Sequence, residues 1–177
     1  MLPNTVDVEA RMRRLAALVQ TSNSLITTLS TWLGTQVAHQ LIDTRRRGIT
    51  LQEARKLDLG AGTPLPYRQG ELWARLGGSP VRIATANALV VTRRMPREVV
   101  EQIQRVPLGF ALQPHGVYRR PDTSVCAPTH DAHRGPRLTL RLTAVLVVNG
   151  RPWALTDETI DQVVVEHTAE RPQDSVG

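Results

Sequence analysis

The 177 residues suffice for one folding unit and leave little room for two. Hydrophobic residues make up 41% and aromatics only 3%, so aliphatic side chains must fill an otherwise ordinary core. The net charge of +6 is carried almost wholly by arginine, with Lys56 the only lysine; the arginines are scattered and lack the interleaved aromatics of a single-strand binder, so nucleic acid is not the expected partner.

From the N-terminus, MLPNTVDVEA brings acidic residues early and no apolar run follows, so no secretory leader is expected. No stretch reaches membrane-spanning length, so a cytoplasmic protein without a membrane partner is expected. Residues 7–20 form a helix with Leu15, Leu18 and Val19 as its apolar stripe. Ser22, Asn23 and Ser24 interrupt it. A second helix over about 24–33 carries Leu25, Leu29 and Leu33 and stops at Gly34. A strand over about 36–45 bears Val37, Leu41 and Ile42.

Residues 46–65 are polar and rich in turn formers, and predict a loop with a short helical piece at Leu51–Leu57. A hairpin follows, with arms 67–76 and 81–92 and Gly77-Gly78-Ser79 as the turn. Pro96 starts a short helix over 97–105 bearing Val99, Val100 and Ile103. Pro107-Leu108-Gly109 predicts a tight turn. Residues 121–136, rich in Pro, Asp, His and Gly, predict a mobile loop.

Within that loop Cys126, the only cysteine, rules out an intrachain disulfide and suits a reducing compartment. His130 and His133, like His115, could suggest metal, but their spacing does not put two ligands on one strand face and no third ligand is evident, so no metal is expected. Residues 137–148 alternate cleanly, with Leu138, Leu140 and Leu142 on one face and Thr139, Arg141 and Thr143 on the other. Asn149-Gly150 is a type I′ turn signal, and Trp153 to about Val165 supplies the partner strand. The tail from Glu166 is polar and expected to fray. Two hairpins with helices at the front and middle argue for an α+β fold, an antiparallel sheet with flanking helices, as a single domain over 1–165 and a flexible tail over 166–177.

Four segments then carry a family resemblance: SNSLITTLSTWLGTQVAHQLI at 22–42, TANALVVTRRMP at 85–96, PLG at 107–109 and RLTAVLVVNGRPWALTDETI at 141–160. In this order and spacing they resemble the chorismate pyruvate-lyases and their relatives, over about residues 22–160. The resemblance implies a cofactor-free elimination that converts chorismate to 4-hydroxybenzoate and pyruvate. It also implies a small-molecule carboxylate as the partner.

The resemblance implies site residues as well. Backbone groups at Leu108 and Gly109 would meet the ligand carboxylate, because fixed amides suit an anion. Arg68, with Arg75 the competing assignment, would grip it as a guanidinium fork. Glu158 or Asp157 would be the catalytic acid, and since neighbours on a strand face opposite ways only one can enter the pocket. A pocket carboxyl would be partly desolvated and able to donate a proton.

Fold likeness does not settle function, so two alternatives stand beside the lyase. One is a same-fold enzyme repurposed as a cyclase or isomerase. The other is a free-standing small-molecule-binding module like the UTRA ligand-binding domains of transcription regulators, which share the fold. Those regulators carry a winged helix-turn-helix ahead of it; about 20 residues precede the matched region here, which favours the enzyme. The segments 46–65 and 121–136 are expected as lids.

Overall fold

The computed structural model describes residues 5–131 and 135–167. Two helices open the chain, α1 (Thr5–Thr21) and α2 (Leu25–Leu33). Val8, Met12, Leu15 and Val19 recur at helical spacing and are buried, whereas Leu18 is exposed, so the apolar stripe of α1 excludes it. Ser24 caps α2 by accepting from the Thr27 amide, and Gly34 ends it at φ 62°, a conformation that glycine adopts without a Cβ clash.

Strand β1 (Val37–Gly48) runs further than expected, and the 46–65 segment holds the expected helical piece but is a loop only over 49–50 and 58–63. It contains the end of β1, helix α3 (Leu51–Leu57) and the start of β2 (Pro64–Leu76). A capping box makes so short a helix hold: Thr50 accepts from the Glu53 amide while Glu53 accepts from the Thr50 amide. Strand β3 (Ser79–Val90) returns antiparallel from β2. Helix α4 (Arg97–Gln102) buries Val99 and Ile103. Pro107-Leu108-Gly109 is not a tight turn: Pro107 caps helix α5 (Leu108–Leu112).

The largest departure is at 121–136. Residues 118–131 form strand β4 (Tyr118–Asp131), paired along its length with β5 (Gly135–Val148). Two prolines, Pro121 and Pro128, hide this strand in the sequence. They are tolerated because β4 lies at the sheet edge, where one side of the backbone needs no donor. Strand β6 (Arg151–Asp161) ends earlier than expected, and helix α6 (Val163–His167) takes in Glu166, so the start of the expected tail is helical. His133 and residues 168–177 lie outside the described residues.

The fold is a six-stranded antiparallel sheet in the order β1-β2-β3-β6-β5-β4, with flanking helices. Each half is a three-stranded meander, and the β3–β6 pairing joins them. On one face, here the inner face, two apolar clusters form. The first packs α1, α2 and α6 on Leu72, Ala84, Leu140, Leu142 and Ile160. The second packs α4 and α5 on Ala88, Leu146 and Val148. On the opposite face α3 covers Leu89, Val145, Val147 and Leu155. No helix among the described residues is long and apolar enough to cross a membrane.

Candidate functional site

A cavity of about 80 Å³ opens between the two inner-face clusters. The strand register explains why space is left there. One row across the sheet reads Leu41, Gly70, Ala86, Glu158 and Leu142. The next reads Arg68, Ala88, Thr156 and Ala144. Gly70, Ala86 and Ala88 are small, so the long polar side chains around them face a gap. The start of α2, with Asn23 and Ser24, and the start of α5, with Leu108, Gly109 and the exposed Phe110, close the other side.

Arg68 is only 5% exposed, and its guanidinium has no hydrogen bond or ion pair among the described residues. Burial holds this group below its ordinary pKa, since nothing nearby offsets the lost hydration. Arg75 lies elsewhere: it sits by the β2–β3 turn, exposed, donating to the Gly78 carbonyl at 3.0 Å, and does not line the cavity.

Glu158 lines the cavity and is 5% exposed. It is not the free acid expected. Both its oxygens accept from the guanidinium of Arg119, Oε1 from Nη1 at 3.1 Å and Oε2 from Nη2. Asp157 faces the opposite side of the sheet, where Arg141 grips it at 2.8 and 2.6 Å, partly in solvent. Leu108 and Gly109 take the first positions of α5, whose amides have no acceptor within the helix. Gly109 packs so that a Cβ there would lie 3.6 Å from the Asn23 carbonyl oxygen.

Sequence reasoning missed two titratable cavity residues, His39 and Arg119. His39 has a signal in hindsight, since it shares strand parity with Val37 and Leu41. Arg119 has none, because it reads as half of an arginine pair before an irregular segment. Burial and the neighbouring Arg68 charge both push the His39 imidazole pKa down.

The remaining candidates lie outside this cavity. His115 packs against Trp153 with ring centroids 5.9 Å apart and tilted by 41°, and His130 sits exposed on β4. Among the described residues no three His, Cys, Asp or Glu side chains come together as a metal site would need. Burial pushes the Cys126 thiol up, the opposite of what activates a nucleophile.

The fold of this sheet with its flanking helices recurs in solved structures. PhnF from Mycobacterium smegmatis superposes with a TM-score of 0.58 at 11% identity, covering 86% of this chain and 78% of that one. A protein assigned to the GntR family of transcriptional regulators gives 0.53 at 12% identity, covering 72% and 55%, so this chain spans just over half its length. The ligand-binding domain of a GntR-family protein from Bordetella bronchiseptica gives 0.49 at 17% identity, covering 70% and 84%. No protein-family model and no curated protein matches the chain.

Proposed function

We propose that this chain is a small-molecule-binding module, UTRA-like in fold, whose ligand presents a carboxylate to Arg68. The observation that supports this is the buried guanidinium of Arg68 at the cavity wall, which has no partner among the described residues. An uncompensated buried charge costs several kcal/mol, and a ligand carboxylate would offset it through two parallel hydrogen bonds. The Leu108 and Gly109 amides would add fixed donors at no reorganisation cost. The fold likeness to PhnF and to a GntR-family transcriptional regulator agrees with a binding role without fixing the ligand.

Calorimetry and thermal denaturation with a panel of small carboxylic acids test this reading. Acids should bind and stabilise the protein, by about 2.7 kcal/mol at a hundredfold excess over Kd. Arg68→Met should abolish the effect. Indifference of the wild-type protein to every acid at millimolar concentration would overturn the reading.

A second reading, chorismate lyase activity, draws support from Glu158 lying in the same cavity as Arg68. Arg68 would hold the ring carboxylate and Glu158 would face the ether-bearing end. Glu158 would first have to leave Arg119, since both its oxygens are engaged. Incubation with chorismate alone decides between the two readings. Formation of 4-hydroxybenzoate and pyruvate above background favours the lyase; binding of 4-hydroxybenzoate without turnover favours the module.

A further inference from the structure

We propose that the cavity selects monocarboxylic acids bearing a second, uncharged hydrogen-bonding group, and that His39 reads that group. This rests on the reading that Arg68 holds the carboxylate, and adds the charge and shape of the rest of the ligand.

The first argument is a charge count. Three charged side chains line the cavity: Arg68, Arg119 and Glu158. Arg119 and Glu158 satisfy each other, which leaves Arg68 as the cavity cation without a partner among the described residues. One anionic group matches that balance. A second carboxylate or a phosphate dianion would have to break the Arg119–Glu158 pair or stay unpaired in a desolvated site.

The second argument is the placement of His39. A Cβ built on Gly70 would lie 2.6 Å from His39 Nε2, so the imidazole fills the space of the side chain that Gly70 lacks. From there it lines the cavity with Arg68, and neither ring nitrogen has a hydrogen-bond partner among the described residues. Burial and the Arg68 charge disfavour the imidazolium. A neutral imidazole donates from one nitrogen and accepts at the other, which matches a hydroxyl, carbonyl or amide and not a second carboxylate. Leu25, Ile26, Leu41, Leu72 and Leu146 supply an apolar stretch of the lining, beside the polar Asn23, Ser24, Asn87 and Thr156, and suit a hydrocarbon skeleton between the two polar ends.

Calorimetry with two matched series tests this: benzoate, 3- and 4-hydroxybenzoate and isophthalate; butyrate, 3- and 4-hydroxybutyrate and glutarate. In at least one series a hydroxy acid should bind about tenfold tighter than both its parent acid and the dicarboxylate. His39→Leu should remove that advantage and leave the parent acid's Kd within about twofold. Gly70→Ala, whose methyl would push on Nε2, should shift the preference the same way. A dicarboxylate that binds as tightly as the hydroxy acid, or a preference that survives His39→Leu, overturns the inference alone. No binding of any acid by the wild-type protein overturns it together with the Arg68 reading.

Discussion

Arg119 on β4 and Glu158 on β6 are joined by two hydrogen bonds across the intervening strand β5, with Arg119 8% exposed and Glu158 5%. In register Arg119 stands opposite Leu146 and Glu158 opposite Leu142. The pair therefore runs diagonally past the inward position of Ala144, where a larger side chain would compete for the space. Such a pair is held against a large desolvation penalty, so removing one partner is worse than removing both. Glu158→Gln should destabilise the fold by about 3–5 kcal/mol, and the double change Arg119→Met with Glu158→Met should recover most of that loss. Urea denaturation measures both. A single-variant loss under about 1 kcal/mol would mean that water reaches the pair.

Arg68 presents the reverse case. Its charge is buried without a partner among the described residues, so the ligand-free protein carries a cost that an apolar side chain of similar length would not. Arg68→Met should raise the unliganded stability by about 1 kcal/mol or more. Thermal denaturation checks this directly. A less stable variant would mean that the arginine stem contributes packing that outweighs its charge.

For His39 the folded pKa lies below the ordinary value near 6.5, pushed down by burial first and by Arg68 second. The Arg119–Glu158 pair lines the same cavity. As pH falls below about 6.5 the unfolded chain takes up a proton that the folded chain resists, so stability declines. His39→Leu should flatten the fall in melting temperature between about pH 7 and pH 5. An unchanged slope would place the titrating group elsewhere.

Glu53 titrates in the opposite sense. The hydrogen bonds from Arg47 hold its carboxyl at about 2, with the Thr50 amide helping against desolvation. Its stabilisation is complete above the unfolded carboxylate value near 4.3 and is lost as pH falls from there through about 2. At pH 7, Glu53→Gln should cost about 1 kcal/mol after discounting for solvent, and Thr50→Ala about as much through the lost cap. Urea midpoints at pH 7 and pH 3 give the comparison; the Glu53→Gln deficit should shrink at the lower pH.

Much of this protein is written in local patterns. The alternation of Leu138, Leu140 and Leu142 marks the inner face of β5, and Leu140 and Leu142 are 1% exposed. Asn149-Gly150 and Gly77-Gly78 mark the β5–β6 and β2–β3 turns, and all four residues have the positive φ that such turns require. Gly34 stops a helix and residues 51–57 form one. These features depend on a few neighbouring residues and on periodicity, so the sequence alone determined them, along with the α+β class.

Only the tertiary structure decided the rest. Residues 121–131 are strand because a sheet edge tolerates the prolines that argue for a loop. The β3–β6 pairing places Arg68 and Glu158 in adjoining rows around Gly70, Ala86 and Ala88, and joins segments some seventy residues apart in the chain. Bulges at Leu41/Asp43 and Pro121/Thr123 reset which side chains face inward along the two edge strands that carry His39 and Arg119. Pairing partners and bulges are chosen by packing between distant segments, and a one-residue slip in either would turn these side chains to the other face.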